Sequence, residues 1–243
     1  VLRLARTLDA ADGDRFAAAR RFVIGLTGPT GGVATYEPVA AGQLAEFLRM
    51  EGSYAGWCGT HTCVTAAAAV LDLDPRMPEF LVQAQRPDGS WAGHWWDDDE
   101  YTTARAIEAL VPDVDHADAV MRATAWAAAR ISDNGAVRSV AHGGDSPFAT
   151  ALALQAVVGG QRHDGARDGA AARATQWLVA NQRADGSWAP SARLRVPAPA
   201  VIDPLDSPET TLTYIDDDAV FTTATVLAAL SAAAAWPSSA STT

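Results

Sequence analysis

The sequence predicts an all-α fold in which helix pairs stack into a solenoid or close into an α/α barrel, a toroid. Alanine is abundant and alternating β-branched residues are scarce, which favours helices and little or no strand. Proline and glycine cluster between apolar blocks of helical periodicity. A loop of sequence QRPDGSW at 85–91 returns as QRADGSW at 182–188, which indicates an internal repeat.

The first element is the pattern VLRLARTLDAADGDRF, whose apolar residues begin in helical spacing with neither a capping residue nor a Met before them. We therefore expect that residues natively upstream of Val1 are absent from this sequence. A loop follows in which Thr27, Gly31 and Val33 occupy the positions of Gln, Gly and Trp in the repeated loop.

Four such loops start at 27, 85, 131 and 182, a spacing of about fifty residues. In the third, Ile131, Gly135 and Val137 occupy the three positions. A second helical pattern follows each loop, so each unit is helix, loop, helix. The four helix pairs are expected to form one domain over 1–235, with the second helix of each pair inside. This domain would be an α/α barrel that is incomplete in this chain. Residues 236–243 are expected to form a frayed tail. The four second helices read THTCVTAAAAVLDL, EYTTARAIEAL, SPFATALALQAVV and VFTTATVLAAL.

Capping signals support these boundaries. Asp74 and Pro75 suit the start of an outer helix, and Asp97 with Glu100 has the spacing of a capping box. Asp145–Ser146 can cap the third inner helix. The Asp-Gly pair of each repeated loop suits a helix C-terminus, where glycine adopts the left-handed conformation at low cost.

Composition excludes several classes of function. The formal net charge of −11, without a Lys or Arg run, argues against nucleic-acid binding. No apolar stretch reaches the roughly 18 residues that a membrane span needs. Cys58 and Cys63 lie too close together for a disulfide framework, and we see no secretory signal. A soluble, cytoplasmic protein is expected.

The loop pattern Gln-x3-Gly-x-Trp, followed by an inner helix with a Thr-Ala step, resembles the QW repeats of the squalene–hopene cyclase and class II diterpene cyclase superfamily. GSWAGHWWDDDEYTTARAIEAL is similar to the C-terminal part of the barrel domain in bacterial copalyl diphosphate synthase-type enzymes. The resemblance implies that the loop residues are structural, with the Gln amide and the indole joining one helix pair to the next. These residues are Gln85, Gly89, Trp91, Gln182, Gly186 and Trp188.

The resemblance also implies an isomerase, or intramolecular lyase, that cyclises a prenyl diphosphate by protonation and retains the diphosphate. Geranylgeranyl diphosphate is the expected substrate, and magnesium would help to hold the diphosphate, although no binding motif for it is present. The family acid is an Asp-x-Asp-Asp motif that starts an inner helix. We expect it just upstream of Val1 or on a second chain.

Two stretches imitate this motif at the correct end of the unit. Asp99 in DDDE and Asp218 in IDDD are the candidate donors, but the acids precede the steps Thr103-Ala104 and Thr223-Ala224 by two or more residues. Two residues rotate a helical side chain by about 200°, enough to aim it away from a pocket. The alternative is that acids are favoured there by the helix dipole. A third similar stretch, DVDH at 113–116, precedes an outer helix and so lies at the wrong end of the unit.

Aromatic residues concentrate at the starts of the inner helices, which in an α/α barrel line one mouth of the cavity. Aromatic faces stabilise a carbocation without quenching it, although aromatics at helical spacing also serve as ordinary core. His61 is a candidate base for ending the cascade, or a capping or surface residue. The predicted pocket residues are Trp57, Cys58, His61, Trp95, Trp96, Tyr101, Phe148, Tyr214 and Phe221.

Two alternatives stay open. Protein prenyltransferase β-subunits share the barrel and bind zinc, and CGTHTC offers Cys58, His61 and Cys63, but the Asp two residues before the Cys is absent. Three ligands within six residues would be strained around a tetrahedral ion. The other alternative is a repeat scaffold that binds an isoprenoid or a partner without catalysis.

Overall fold

The computed structural model describes residues 13–37, 41–49, 51–160 and 165–235. The helical pattern predicted at Val1 and the tail predicted at 236–243 lie outside these described residues. The α-helices of the described part are α1 (Asp14–Gly25), α2 (Ala41–Leu48), α3 (Thr62–Ala69), α4 (Arg76–Ala84), α5 (Asp99–Leu110), α6 (Ala117–Arg130), α7 (Pro147–Gly159), α8 (Gly165–Ala180) and α9 (Val220–Ala234).

The helices form an inner and an outer layer, which confirms the predicted α/α architecture. Helices α3, α5, α7 and α9 pack on one another in that order, and α4, α6 and α8 pack outside them. Helix α7 is buried continuously from Pro147 to Leu154, as expected for an inner helix. Helix α9 is the last of the described inner helices, and it leaves Val220, Phe221 and Leu227 exposed.

Strand content is small, as predicted. The antiparallel ribbon β1 (Arg138–Ser139) and β2 (Gly144–Asp145) precedes α7. A longer antiparallel ribbon, β3 (Arg193–Val196) and β4 (Leu212–Ile215), precedes α9. Short 3-10 helices occupy Val114–His116 and Pro208–Thr210. Among the described helices, none combines the length and apolar character that crossing a bilayer requires.

The loop glycines recur with one geometry. Gly31, Gly89 and Gly135 have φ of +89°, +96° and +91°. Each faces a backbone carbonyl of the next outer helix so closely that a Cβ atom would collide with it. Glycine is therefore required both by the left-handed backbone and by the close approach. The three carbonyl groups belong to Arg76 in α4, Arg122 in α6 and Arg173 in α8.

A second contact joins every loop to its inner helix. The backbone N–H at the Trp position donates to a buried or half-buried threonine hydroxyl, at N···O distances of 2.8–3.4 Å. The threonine hydroxyl thus provides an acceptor for a loop N–H group that no helix or sheet hydrogen bond satisfies. The four pairs are Val33 with Thr65, Trp91 with Thr103, Val137 with Thr150 and Trp188 with Thr223.

Gln85 joins consecutive outer helices. Its Nε2 donates to the carbonyl oxygens of Gly89 and Ala119, both at 2.9 Å, and its Oε1 accepts from Arg122. The Trp91 indole N–H donates to the carbonyl oxygen of Leu81 at 2.6 Å, near the end of α4. One loop therefore ties α4 to α6 and satisfies a carbonyl in the last turn of α4.

The last repeated loop makes the same internal bonds. Gln182 Nε2 donates to the Gly186 carbonyl at 3.0 Å, and the Trp188 indole donates to Leu178 at 2.7 Å. Gln182 is exposed, and nothing lies within 4 Å of a Cβ atom placed on Gly186. The two loops therefore share a conformation but differ in their neighbours.

The capping predictions were partly wrong. Ser146 caps α7 as expected, because its hydroxyl accepts from the Ala149 N–H at 3.0 Å. The expected capping box at Glu100 does not form: α5 begins at Asp99, its N-cap Asp98 makes no side-chain cap bond, and Glu100 pairs with Arg130.

The glycine of the repeated loop also differs from its prediction. Gly89 takes the expected left-handed conformation, but it lies in a tight turn where its N–H donates to the Arg86 carbonyl at 2.9 Å. Helix α4 ends at Ala84, so the Asp-Gly pair closes this turn and does not cap the helix. The turn is fixed by the close packing of Gly89 on α6.

Replacing Gly89 with alanine is expected to lower the free energy of unfolding by about 2–4 kcal/mol, because backbone strain adds to a collision with α6. A Cβ atom at Gly89 would lie 2.6 Å from the Arg122 carbonyl oxygen. The matched control is Gly186→Ala, where φ is also positive, at +86°, but space is open. It should cost only about 1 kcal/mol. Equal losses in urea unfolding would contradict the packing argument.

Candidate functional site

Aromatic rings from the first turns of three inner helices meet on one indole. Trp96 stacks on Tyr101 of α5, with ring centroids 4.7 Å apart, and on Phe148 of α7, at 5.3 Å. Phe221 of α9 approaches it edge-on at 6.4 Å. These four residues form the Trp96 cluster. The inner-helix starts were predicted to converge at one mouth, and the starts of α5, α7 and α9 meet at this cluster.

A cavity of about 540 Å³ opens beside the Trp96 cluster. Trp96, Phe221, Tyr214 and Leu194 contribute apolar walls, and the acids of 216–218 lie at its rim. Phe221 and Tyr214 are 62% and 59% exposed, so their rings are available to a ligand. Such a wall can stabilise a cation through aromatic faces while offering it no strong nucleophile. We call this space the aromatic cavity.

Three of the remaining predicted pocket residues, Trp57, His61 and Trp95, form a separate cluster. Trp95 packs edge-on against Trp57, with centroids 5.8 Å apart, and against His61, at 5.4 Å. His61 stacks on His94 at 3.8 Å. Trp95 and Trp96 are adjacent in sequence yet belong to different clusters. The predicted residues therefore divide into three groups. Trp96, Tyr214 and Phe221 line the aromatic cavity, and Tyr101 and Phe148 stack on Trp96 without lining it. Trp57, Cys58, His61 and Trp95 do not line the cavity either.

Both ring nitrogens of His61 are engaged. Nε2 lies 2.8 Å from the Gly56 carbonyl oxygen, which can only accept, so Nε2 carries the proton. Nδ1 then accepts from the Thr35 hydroxyl at 2.8 Å, and that oxygen accepts from the Trp95 indole. Burial lowers the pKa of His61, although its bond to Gly56 opposes this. The geometry therefore favours a neutral His61 imidazole with a structural role over the predicted role as the base that ends the cascade.

The CGTHTC stretch does not present a zinc site. Burial raises the pKa of both Cys58 and Cys63, which are free thiols, whereas zinc binds thiolates. Cys58 Sγ lies 3.6 Å from the Glu37 carbonyl oxygen, and the nitrogens of His61 are occupied. Among the residues that the structure describes, no group of three or more His, Cys, Asp or Glu side chains could hold a metal ion.

The magnesium ion implied by the family resemblance therefore has no protein ligands in the described ranges. The acids of 97–100 are close in sequence, but Asp99 pairs with Arg86 and Glu100 with Arg130, both at 2.6 Å. Arg86 and Arg130 therefore occupy the positions beside two of these four carboxylates that a cation would need. The residues present do not fit the ion, and no step of the mechanism below depends on it.

Neither predicted proton donor is suited to protonating an alkene, because such a carboxyl must be buried and kept protonated. Asp99 Oδ2 is paired with Arg86 Nη1, and its Oδ1 accepts from the Gly93 N–H at 3.3 Å. Asp218 borders the aromatic cavity but is exposed to solvent. These positions agree with the argument that the acids precede the helix too early.

One buried acid that sequence reasoning did not single out is Asp98, which is only 6% exposed. Burial raises its pKa to about 6; a bond to Ser139 opposes this shift, and the negative charges of Glu100 and Asp97 add to it. Its Oδ2 has no hydrogen-bond partner. Asp98 lines a separate acidic cleft of about 270 Å³, not the aromatic cavity. Nothing in the run DDDE distinguishes Asp98 from its acidic neighbours.

Replacing Asp98 with asparagine is expected to stabilise the protein at pH 8 by up to about 3 kcal/mol and to change little at pH 4. The folded pKa of about 6 lies above the ordinary 3.8, so the folded state binds this proton more tightly than the unfolded state. The resulting stability is full below about pH 4 and is lost as pH rises to about 6. Urea unfolding at both pH values measures this difference.

The exposed Asp133→Asn serves as the control for that experiment and should have no effect at either pH. If Asp98→Asn destabilised the protein equally at pH 4 and pH 8, the buried carboxyl would be acting through hydrogen bonds alone, contrary to this prediction.

Comparison with known proteins identifies the family. A family profile described as the squalene–hopene cyclase C-terminal domain matches residues 66–195, more than half of the chain. None of the curated protein sequences matches the chain.

Several solved structures are similar to this chain over nearly its full length. A protein from Actinoplanes is 38% identical, over 96% of this chain and 73% of that protein, with a TM-score of 0.87. The type II terpene cyclase MstE from Scytonema, as a variant with its product merosterolic acid A, is 34% identical over 97% of this chain and 71% of its own, with a TM-score of 0.89. Another MstE variant was solved in complex with its substrate geranylgeranyl dihydroxybenzoate. It is 33% identical over 97% of this chain and 72% of its own length, with a TM-score of 0.87.

The ent-copalyl diphosphate synthase from Streptomyces platensis shares the fold, at 21% identity and a TM-score of 0.51 over 73% of this chain and 33% of that one. The repeated loops, the two helical layers and these similarities agree with one another. The chain belongs to the class II terpene cyclase superfamily.

Proposed function

We propose that this chain forms most of the barrel of a class II terpene cyclase that protonates the terminal alkene of a prenyl diphosphate and retains the diphosphate. Geranylgeranyl diphosphate is the proposed substrate, and the cytoplasm the proposed location. The observation that carries the proposal is the aromatic cavity, whose walls include Trp96, Tyr214 and Phe221, with Tyr101 and Phe148 stacked on Trp96.

The proposed reaction is an isomerisation. A carboxyl proton adds to one alkene carbon, the π electrons form the new C–H bond, and a tertiary cation remains on the other carbon. The next alkene attacks this cation and closes a ring, and the last cation loses a proton. Faces of Trp96, Tyr214 and Phe221 would stabilise the migrating charge. Atoms balance without any other reactant, so product and substrate have the same composition.

The proton donor is proposed to lie outside the 243 residues, on a segment preceding Val1 or on a second chain. This follows the family resemblance and the placement of the described acids. Asp98 is buried but lines the acidic cleft, whereas Asp218 borders the aromatic cavity but is exposed. Among the described residues, the carboxyls at the aromatic cavity, 216–218, are not buried.

A second candidate substrate class is a prenylated aromatic acid. It is favoured by MstE, which is 33% identical over 97% of this chain and whose structure contains geranylgeranyl dihydroxybenzoate. Both candidates share a geranylgeranyl chain and an anionic head group.

The test is to express the natural gene product, with all flanking residues, and to incubate it with farnesyl diphosphate, geranylgeranyl diphosphate and geranylgeranyl dihydroxybenzoate. Products are extracted with and without phosphatase treatment and identified by mass spectrometry. A cyclic isomer that enters the organic phase only after phosphatase treatment supports diphosphate retention. A cyclic isomer of the benzoate alone supports the second candidate. Binding without isomerisation of any substrate would favour the scaffold alternative.

A further inference from the structure

The β3–β4 ribbon separates two chemically different spaces. Side chains alternate between the faces of a strand, so Arg193 and Arg195 share one face of β3 while Leu194 lies on the other. Leu194 pairs with Tyr214 across the ribbon, and both line the aromatic cavity. Arg195 pairs with Thr213 on the opposite face.

A cavity of about 580 Å³ lies against this opposite face, and we call it the arginine cavity. Arg193, Arg195, Thr213 and Asp97 contribute polar walls, and the loop at 197–211 contributes apolar ones. Ile215, at the end of β4, borders both the arginine cavity and the aromatic cavity. A molecule with a polar end and an apolar end can therefore occupy both spaces by passing Ile215.

Arg195 is already neutralised by the protein. It is 7% exposed, its Nε donates to the His94 carbonyl at 3.1 Å, and its Nη2 donates to the Gly93 carbonyl. Its Nη1 lies 3.7 Å from an oxygen of Asp97. These contacts tie the ribbon to the segment that carries Trp95 and Trp96, so Arg195 is a structural residue.

Arg193 differs because it forms no close ion pair with a described residue, although Asp97 is near enough to interact with it electrostatically. Its Nη2 lies 3.3 Å from His142 Nδ1, and both burial and the nearby guanidinium lower the pKa of His142, so the imidazole is a neutral acceptor. Its Nε is buried without a hydrogen-bond partner. Within the described ranges no carboxylate lies at ion-pair distance from Arg193. A buried donor without an acceptor is costly, which indicates that a ligand supplies the acceptor.

We infer that the arginine cavity binds the anionic head group of the substrate through Arg193, while the isoprenoid chain lies in the aromatic cavity. This inference rests on the proposed function for the isoprenoid part only. The head group is a diphosphate or an aromatic carboxylate, since a guanidinium binds the oxygens of either through paired N–H donors. Thr213 is a further hydroxyl donor in the same wall.

The test measures binding of head-group probes to the natural full-length protein by titration calorimetry. Inorganic pyrophosphate and dihydroxybenzoate are titrated separately, because each represents one source of the anion. Arg193→Gln is expected to weaken binding of the preferred probe about 10- to 100-fold, the usual range for charged hydrogen bonds. The matched control, Arg183→Gln in an exposed loop, should leave binding unchanged.

Asp97→Asn is a second variant with the opposite expected sign. It removes the single carboxylate of this cavity wall and releases Arg195, so anion binding should tighten by about 3- to 10-fold. A variant that only damaged the fold would weaken binding in both cases. Thermal unfolding of each variant is measured in parallel.

Tighter binding of pyrophosphate assigns the site to a diphosphate, and tighter binding of dihydroxybenzoate assigns it to a carboxylate. The inference is overturned if neither probe binds, or if Arg193→Gln and the control behave alike. Probe binding that depends on Arg193 in a protein that isomerises no prenyl substrate would refute the proposed function and leave the anion site standing. If Arg193→Gln isomerised a prenyl substrate with an unchanged KM, the proposed function would stand and the anion site would be refuted.

Discussion

Replacing Trp91 with alanine is expected to lower the free energy of unfolding by about 3–5 kcal/mol, the range observed for deleting a large buried aromatic side chain. Trp91 is fully buried, at 0% exposure, and packs within the hydrophobic core. Its indole N–H donates to the Leu81 carbonyl at 2.6 Å, and its backbone N–H donates to Thr103. The side chain thus lies where α4, the loop and α5 meet.

The control for this prediction is Trp91→Phe, which retains most of the apolar surface but removes the indole donor. It should cost about 1–3 kcal/mol, because the Leu81 carbonyl then lacks its partner. Urea unfolding of the three proteins at one pH provides the measurement. A loss below about 1 kcal/mol for Trp91→Ala would show that the loop does not depend on its indole.

The repeat could be predicted from sequence because its glycines obey a backbone requirement. Gly31, Gly89 and Gly135 all need positive φ and contact the next outer helix, so no other residue fits there. Even the degenerate loops retain this glycine while losing Gln and Trp. The glycine is therefore a better marker of the repeat than the residue types at the Gln and Trp positions.

The threonine contacts of the same loops could not be predicted. The bonded residues are 12 and 13 positions apart in the second and third repeats, but 32 and 35 apart in the first and last. Segments inserted after Val33 and Trp188 change the spacing while leaving the three-dimensional contact unchanged. A fixed period in the sequence cannot detect a contact across insertions of variable length.

One of these insertions carries part of the second aromatic cluster, and the other carries most of the walls of the aromatic cavity. The segment 34–60 supplies Trp57 and the Thr35 hydroxyl that orders His61. The segment 192–219 supplies Arg193 and Tyr214. The helical repeat provides a rigid frame, whereas the irregular segments determine what binds. Helical periodicity therefore predicts the frame but not the division of the aromatic residues between two clusters.

The inward turn of Asp98 was likewise beyond sequence reasoning. The three consecutive aspartates at 97–99 all line the acidic cleft, but their other surroundings differ. Asp97 also lines the arginine cavity, Asp98 is buried, and Asp99 pairs with Arg86. Residue type cannot distinguish these environments, because each depends on which distant residues the tertiary fold brings close.

Replacing Trp96 with leucine in the natural full-length enzyme is expected to lower kcat on the order of 30-fold, if a desolvated cation–aromatic contact contributes its usual 2 kcal/mol or so. Trp96 is central to the aromatic cavity because three rings from α5, α7 and α9 pack around it. Leucine retains apolar bulk but presents no π face. Trp96→Phe should recover most of the rate, since it restores a π face.

Single-turnover measurements with the substrate identified above separate this electrostatic effect from a structural one. The control is Trp126→Leu, a half-buried indole of α6 that lines the acidic cleft and should leave kcat unchanged. A charge effect lowers the rate of Trp96→Leu with little change in KM and melting temperature, and shifts product towards rings quenched early. If Trp96→Leu and Trp96→Phe lost activity equally, the indole would serve packing alone, and cation stabilisation would have to be sought in Tyr214 and Phe221.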